Sequence, residues 1–397
     1  MKILIVSQYF YPENFRINDL ALELKKRGHN ITVLTGLPNY PAGEYFDGYN
    51  LNENCDEIWN EIPIYRCKLY PRKTGSLNLI RNYLSFVYQA NKKAKELVNH
   101  DFDLIYVFEV SPITVVLPAI KIKKKKKIPI IVNIQDLWPE NIIAVTGINN
   151  CVINFIINKL VSYIYKYSDI ILAASPSFVP KIQKRVKDID KVKYWPQYSV
   201  VNKTDGEVSF YNKNYFNIVF TGNIGEAQGI DIAIEAANQL RDTKIRWHFV
   251  GDGRNKGNME MLVKKYKLEN IVKFYGFKPE NEIPKYLKDA DAALLILKPN
   301  PVFEMTIPAK LQTYLACGVP IIGCVSGEGK RIIEESKAGI VSKEISVQSL
   351  VETCDKFISL DRNELEDYKN KAYIYGMQNF NKNVLIDDLE QMMGEII

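Results

Sequence analysis

The stretch FTGNIGEAQGID, residues 220–231, reads as the end of an apolar strand, a turn with glycines at Gly222, Gly225 and Gly229, and the first turn of a helix. A turn of this kind closes the backbone around a phosphate, offering bare N–H groups and the positive end of a helix dipole. It contains no lysine or arginine, and Glu226 is its only charge before Asp231. A diphosphate held there therefore needs a cation from another loop. Three glycines also serve any tight turn, so the stretch alone is weakly specific.

Outward from this turn the same strand–helix alternation repeats in both directions. Downstream, short apolar runs predict strands at 216–221, 245–250, 271–275, 291–296, 320–323 and 339–341. Upstream they fall at 2–7, 30–35, 104–108, 130–134, 170–173 and 191–194, with helices at 18–27, near 76–98, 112–124, 151–167 and 176–187. Short buried strands separated by helices imply parallel sheets covered on both faces, hence the α/β class. A polar interval at 198–214 divides the two series. The expected organisation is a first doubly wound domain over 1–200 and a second over 201–374. A C-terminal helix, about 375–397, is expected to return to the first. In such sheets ligands sit beyond the carboxyl ends of the strands. Two facing sheets would hold one substrate each, with the chemistry between them.

Bulk properties fit this organisation. The 397 residues suit two domains, and a composition 47% apolar and 25% charged is that of a globular protein. Six cysteines without CxxC spacing indicate free thiols in a reducing compartment, and the N-terminal MKILIVSQYF runs directly into a strand, predicting a cytosolic protein. Residues 104–120 imitate a membrane span, yet Glu109, Pro112, Pro118 and the short length favour a strand, a turn and a helix. Residues 1–200 hold 27 Lys+Arg against 18 Asp+Glu, whereas the remainder hold 25 against 28. The run KKKKK, Lys123 to Lys127, is either a solvated helix end or, with this asymmetry, a contact for an anionic membrane surface. Nucleic acid is not expected, because the lysines are not interleaved with stacking aromatics.

Several strand-to-helix turns carry candidate residues. HFVGDG (248–253) supplies Gly251, and YGFKPENEI (275–283) supplies Phe277. In IPAKLQTYLACGVPII, Pro308 stands where prolines begin helices and Lys310 lies in the first turn. A cation there opposes the helix dipole unless an anion lies in front of it, so Lys310 is the candidate for the missing charge; a solvated lysine beside Glu304 is the alternative. In the first domain, YFYPENFRINDL (9–20) sets Glu13, Asn14 and Arg16 just before a helix, able to contact a ligand over the sheet edge. Arg16 serves equally well as a cap or as a partner of Asp19. NIQDLWPEN (133–141) places Asp136 at a strand end with Trp138 beside it. A carboxylate there hydrogen-bonds a sugar hydroxyl or accepts its proton, unless it simply caps the next helix. Glu109 follows strand 104–108 in the same layer. Three D-x-D triplets (Asp101/Asp103, Asp188/Asp190, Asp289/Asp291) precede strands or lie in a charged helix end, and no metal is expected.

Taken together, FTGNIGEAQGID, HFVGDG, the GFKP turn and IPAKLQTYLACGVPII resemble, in order and spacing, the retaining family 4 glycosyltransferases. YFYPENFRINDLALELKKRGHNITVLTGLPNYP and NIQDLWPEN resemble its branch that builds O-antigen, capsule and colanic-acid repeats, N-acetyl-L-fucosamine transferases among them. The resemblance spans essentially the whole chain. It implies a GT-B fold of two Rossmann-like domains facing a cleft, the second binding a nucleoside-diphosphate sugar, with uridine the family-weighted base. It implies a polyprenyl-diphosphate-linked saccharide as acceptor on the first domain, at the inner face of the plasma membrane. It further implies retention at the anomeric carbon with no metal, no cofactor and no protein nucleophile. By spacing, Asn223 and Gln228 stand where relatives carry an arginine and a lysine for the diphosphate. Thr313 stands at or near the ribose-binding glutamate. Lys310, with Arg16 from the other domain or Arg254, would then replace the lost charge. A sugar-nucleotide 2-epimerase, or a partner subunit that has lost donor chemistry, fits the same fold. The exposed aromatics expected at Tyr83, Phe86 and Tyr88 favour the membrane-bound transferase. A dehydrogenase is weak, since strand one leads into SQYFYPEN without G-x-G-x-x-G.

Overall fold

The run KILIV forms β1 (Lys2–Val6), four of whose five residues are buried, and it pairs in parallel register with neighbours on both sides. In the computed structural model, residues 1–53, 55–142, 150–200 and 210–397 are described. Two units separate among them, Met1–Trp195 with Asp388–Ile397, and Pro196–Asp387.

In the first unit β1 is joined by β2 (Asn30–Gly36), β3 (Glu57–Trp59), β4 (Ile62–Cys67), β5 (Leu104–Glu109), β6 (Ile130–Ile134), β7 (Ile170–Ala173) and β8 (Val192–Tyr194). The order is β3-β4-β2-β1-β5-β6-β7-β8, and only the β3–β4 pair is antiparallel. The helices are α1 (Arg16–Lys26), α2 (Ser76–Leu97), α3 (Val116–Lys126), α4 (Cys151–Tyr167) and the short α5 (Val179–Gln183). Sequence order runs from β1 to one edge and then restarts at β5 on the other side of β1. The crevice beyond the ends of β1 and β5 is therefore the switch point where open α/β sheets bind ligands.

The second unit repeats the plan. Strands β9 (Phe216–Thr221), β10 (Ile245–Val250), β11 (Val272–Phe274), β12 (Ala292–Ile296), β13 (Ile321–Cys324) and β14 (Gly339–Val341) lie in the order β11-β10-β9-β12-β13-β14, all parallel. Its helices are α6 (Ile230–Gln239), α7 (Lys256–Tyr266), α8 (Ile283–Lys288), α9 (Pro301–Glu304), α10 (Ala309–Ala316), α11 (Gly327–Ser336), α12 (Val347–Ile358), α13 (Arg362–Asn379) and α14 (Lys382–Gly394). The period-2 alternation of the strands divides the core between the two faces. Ile218, Phe220, Trp247, Phe249, Leu294 and Ile296 pack on one side, and Val219, Val250, Ala293 and Leu295 on the other. The switch point here lies between β9 and β12.

Two expected boundaries shift. The first unit ends at Trp195 rather than at 200, and the return to it begins at Asp388 rather than at 375. Helix α13 stays with the second unit because Gly376 lets it ride directly on α10: a Cβ there would stand 2.6 Å from the Leu315 carbonyl carbon. Only the last turns of α14 return, held by Glu390, whose carboxylate meets Arg27 Nη1 at 2.7 Å and His29 Nε2 at 2.6 Å. The expected polar interval 198–214 falls partly outside the described residues.

Candidate functional site

In the second unit three glycine turns leave β9, β10 and β11 and are laced by backbone hydrogen bonds. Gly222 N–H donates to the Val250 carbonyl and Gly251 N–H to the Gly276 carbonyl, each at 2.9 Å, while Ile224 N–H donates to Asp252 O at 2.8 Å. Gly251 has φ +151°, and a Cβ on it would lie 1.8 Å from the Gly222 carbonyl oxygen, so no other residue fits. Gly229 adopts φ +67° and starts α6. Thr221 is pinned from below by the buried Tyr314 hydroxyl, which accepts its N–H at 2.9 Å. This lacing leaves Gly222 and Asn223 exposed at the carboxyl end of β9.

Lys310 comes from α10, which begins after Pro308, and its ammonium reaches over the Gly222 turn. Nζ donates to Gln228 Oε1 at 2.5 Å, sits 3.9 Å from the centroid of the Phe220 ring, and would be 3.8 Å from a Cβ on Gly222. Burial lowers its pKa to about 7. Both partners are neutral, and among the described residues no carboxylate pairs with it. Glu304, the alternative neighbour, instead accepts from the Ser326 hydroxyl at 2.9 Å. A half-buried cation at a helix N-terminus, whose partners among the described residues are an amide and a ring, is arranged to receive an anion.

In the first unit the turns after β1, β5 and β6 and the loop after β4 converge on Asp136. Asp136 is half-buried, and burial raises its pKa, opposed by a hydrogen bond from the Ser111 side chain and by the charge of Arg72. The Ser111 hydroxyl also accepts the Trp138 indole N–H at 3.1 Å and the Asn141 amide at 3.2 Å. Arg72 Nη1 donates to the Tyr9 hydroxyl at 3.3 Å, and its guanidinium stands 5.4 Å from the Tyr40 ring centroid. Tyr83 closes the group, its ring 6.4 Å from that of Trp138 and its hydroxyl pKa raised by burial and then by Tyr9. An accessible carboxylate, a guanidinium and a tyrosine around aromatic walls are the means of holding a sugar hydroxyl or an anionic group.

Sequence comparison assigns each half. Residues 15–197 match the family described as Glycosyltransferase Family 4, and residues 202–375 match Glycosyl transferases group 1. The chain belongs to the family 4 glycosyltransferases. Among its relatives, a protein named for colanic acid biosynthesis, WcaL of Escherichia coli K12, is 28% identical over 179 residues, 44% of either chain. WcaI of the same strain, also named for colanic acid biosynthesis, is 24% identical over 343 residues, 80% of this chain and 82% of the relative. The chain thus matches less than half the length of the WcaL relative. Among solved structures, HepE of Anabaena in complex with UDP superposes with a TM-score of 0.70 at 15% identity over all of both chains. This likeness establishes the GT-B fold.

Within this family 4 chain the expected site residues sort by exposure. Gly222, Gly225 and Gly251 shape the turn; Gln228 holds Lys310; Asn223 is exposed, its amide against the Gly225 and Gly253 backbones. Phe277 is 70% exposed, Arg254 is exposed, and the Thr313 hydroxyl turns back to its own helix, onto Ala309 O at 3.4 Å. In the first unit Asn14 is exposed and Arg16 opens α1.

Three expectations for the first unit are corrected. Glu13 is not an edge contact: it is 1% exposed, and its Oε1 accepts the backbone N–H groups of Asn39 and Tyr40, both at 2.8 Å, fixing that loop. Burial raises its pKa to about 7. Glu109 is fully buried. Its carboxyl accepts the backbone N–H of Ser111 at 3.1 Å and of Asp136 at 3.3 Å, and burial, then the Asp136 charge, hold its pKa well above the ordinary value. Glu109 is therefore a positioning residue for Asp136. Trp138, 6% exposed with its N–H engaged by Ser111, is a wall rather than a donor.

The charge and aromatic expectations change as well. Lys123 pairs with Asp169, and Lys124 donates to Tyr163 OH at 2.9 Å and packs on the Tyr167 ring, so the lysine run is not uniformly solvated. Phe86 is buried, not exposed, because it lies on the inner row of α2; Tyr83 is half-buried, and Tyr88 is 72% exposed. Among the described residues no group of three His, Cys, Asp or Glu is placed to hold a metal. Asp101 and Asp103 instead bind the Lys2 ammonium and backbone N–H, and Asp291 accepts the Asn217 N–H. Arg72 was missed because β3 and β4 were not foreseen; a cation just past a strand end was the available signal.

Proposed function

We propose that the chain is a retaining, metal-independent glycosyltransferase. It moves a sugar from a UDP-linked donor to a polyprenyl-diphosphate-linked saccharide on the cytoplasmic face of a bacterial membrane, in surface-polysaccharide assembly. The observation that carries this reading is Lys310, a half-buried cation with neutral partners beside the Gly222 turn at the β9–β12 switch point. A diphosphate is the anion such a turn suits, since backbone N–H groups and a helix N-terminus share its charge. Names given to relatives, for colanic acid biosynthesis, support the polysaccharide setting. The UDP complex of a fold neighbour supports the base.

In this reading Lys310 exchanges Gln228 for a phosphate oxygen, and the exposed Asn223 amide donates to the same group. The bond from the anomeric carbon to the diphosphate breaks as the acceptor oxygen joins that carbon from the same face. The acceptor proton passes to the departing oxygen, and the growing charge is held by Lys310 and the turn. Asp136 hydrogen-bonds the acceptor hydroxyl. An N-acetylated amino or deoxy sugar, such as N-acetyl-L-fucosamine, is the donor group to try first.

The test is a thermal-shift series with UDP, GDP, dTDP, CMP and NAD on the wild type and on Lys310→Met. A ligand at 100 times its Kd adds about 2.7 kcal/mol to stability. A response selective for UDP that Lys310→Met weakens supports the proposal. Silence across the panel, or unchanged UDP affinity and full transfer in Lys310→Met, overturns it.

A further inference from the structure

Arg72 stands on the loop between β4 and α2, and its company differs from that of other shielded arginines in the first unit. Arg66 Nε reaches Glu57 Oε1 at 2.7 Å, Arg27 Nη1 reaches Glu390 Oε2 at 2.7 Å, and Arg185 Nη2 reaches Glu140 Oε1 at 3.1 Å. Arg72 is also half-buried, yet among the described residues no carboxylate pairs with it. Its guanidinium has the Tyr9 hydroxyl at 3.3 Å and the Tyr40 ring centroid at 5.4 Å. A guanidinium carries five N–H donors in a fixed fork, and most of this fork stays unused. A cation partly withdrawn from water and left without a counter-charge is costly unless an anion arrives.

The loop is held still. Arg72 N–H donates to Asn39 Oδ1 at 2.7 Å, and Asn39 is itself fixed by Glu13. Tyr70 N–H donates to Ser85 Oγ at 2.9 Å and the Tyr70 carbonyl accepts Asn82 Nδ2 at 2.5 Å, both partners lying on α2. Asn82 Oδ1 accepts Gln8 Nε2 at 2.6 Å, and that amide also reaches the Tyr9 hydroxyl at 3.4 Å. The hydrogen bonds therefore close a ring from Arg72 through Tyr9, Gln8, Asn82 and Tyr70 back to its own loop. The residue after Asn82 is Tyr83, whose ring lies by Trp138, and Trp138 shares Ser111 with Asp136. The Arg72 charge opposes the rise that burial gives the pKa values of Tyr83 and Asp136. Beside the guanidinium, Tyr9, Phe15 and Tyr40 form an aromatic platform with ring centroids 4.9, 5.6 and 5.4 Å apart, and Tyr40 is 37% exposed. A cation braced in this way meets a ligand with little ordering left to do.

We infer that Arg72 selects the acceptor, its guanidinium binding an oxyanion, phosphate or carboxylate, on the same sugar residue whose hydroxyl meets Asp136. A planar fork suits either oxyanion with two parallel hydrogen bonds, and the Tyr40 ring offers an apolar face to that sugar. The closeness of the two groups carries the second half of the inference. Arg72 and Asp136 both act on the Tyr83 hydroxyl, so a charge several sugars away from the reacting hydroxyl lies out of reach and leaves Arg72 unpaired. Two kinds of acceptor meet the condition: a sugar joined directly to a diphosphate, and a uronic acid. The inference rests on the acceptor half of the proposed function and is independent of the donor half. It makes Arg72 a specificity residue with no part in the bond-forming step.

The experiment is calorimetric titration of the full chain, saturated with UDP, with geranyl diphosphate as the diphosphate probe and glucuronate as the carboxylate probe. The wild type is compared with Arg72→Met and Arg72→Lys, and the melting transition of each reports that it is folded. At least one probe is expected to bind the wild type, and Arg72→Met to weaken that binding about tenfold or more. Arg72→Lys, which keeps the charge and loses the fork, is expected to weaken it by a smaller factor. Binding of geranyl diphosphate through Arg72 assigns a sugar diphosphate as the acceptor. Binding of glucuronate alone through Arg72 keeps the inference, assigns a uronic acid, and overturns the diphosphate reading of the acceptor. No binding of either probe to the UDP-loaded wild type overturns the inference. So does binding that both Arg72 variants retain in full, which would leave the anion to other residues. So does binding that Lys310→Met abolishes and Arg72→Met keeps, which would place the probe in the Gly222 turn. A wild type without a UDP shift fails the donor reading alone, and the same titration on Lys310→Met without UDP then reads Arg72.

Discussion

The two units share a fold plan and build their candidate sites from opposite materials. In the second unit the site is mostly backbone: glycines at 222, 225, 229, 251 and 276 let three turns approach within hydrogen-bonding distance, and one lysine supplies the charge. In the first it is mostly side chain: Asp136, Arg72, Tyr9, Tyr83 and Ser111, propped by the buried carboxyls of Glu13 and Glu109. A backbone site suits a group that never varies, such as a diphosphate. A side-chain site can be re-cut residue by residue for a varying saccharide.

The harshest way to break the backbone site is Gly251→Ala. With φ at +151° and a Cβ 1.8 Å from Gly222 O, the turn must move. A loss of about 3 kcal/mol in urea unfolding and absence of any UDP shift are expected. An ordinary melting curve with intact UDP binding would show the close approach to be dispensable.

In the side-chain site the corresponding change is Asp136→Asn, which keeps shape and removes the charge. Transfer is expected to fall by about 10²–10⁴ in kcat, with the UDP shift untouched because Asp136 belongs to the other unit. A variant that loses UDP binding instead would erase the division of labour.

The third test uses pH. Lys310 has a folded pKa lowered to about 7 by burial, and an anion in front of it restores the higher value. UDP binding is then expected to take up a proton above pH 7 and to weaken as pH rises from 7 to 9. The loss approaches tenfold per unit where the free lysine is neutral. The phosphate's own pKa of about 6 lies below this window. Calorimetry in buffers of different ionisation enthalpy measures the uptake, and Lys310→Met must abolish it.

The smallest effect concerns the props. Glu13 has a folded pKa raised to about 7 by burial, so its contribution to stability is full below its unfolded value of about 4.5 and is lost as pH rises through 7. Glu13→Gln removes that titration. The wild type's advantage over the variant should shrink by roughly 2–3 kcal/mol between pH 5 and 8; a constant difference would mean that Glu13 does not change protonation there.

The same contrast explains what could be read in advance. β6, β7, β9, β10, β14 and α4 lie where their apolar periodicity puts them, because each is buried along its length or ends at a glycine, proline or asparagine signal. The hairpin β3–β4 escaped notice. Its turn, Asn60–Glu61, holds two positive φ angles without a glycine, and Pro63 looks like a strand breaker. Pro63 precedes the first residue of β4 that pairs with β2, Ile64, so its missing N–H lies outside that ladder. Losing β4 meant losing Arg72. The exposure assigned to Phe86 and the contact role given to Glu13 failed for a related reason: a residue type marks what a side chain can do, and packing decides which way it faces.

The sequence by itself determined the class, the two doubly wound units, the glycine turns and Lys310, since strand periodicity, backbone freedom at glycine and a cation at a helix start are local properties. Tertiary structure alone decided that Lys310 meets Gln228 and Phe220 and, among the described residues, no carboxylate, that Glu109 and Glu13 are props, and that Arg72 and Tyr83 join Asp136. Desolvation and charge pairing depend on neighbours tens to hundreds of residues away, and those neighbours exist only once the sheets have formed.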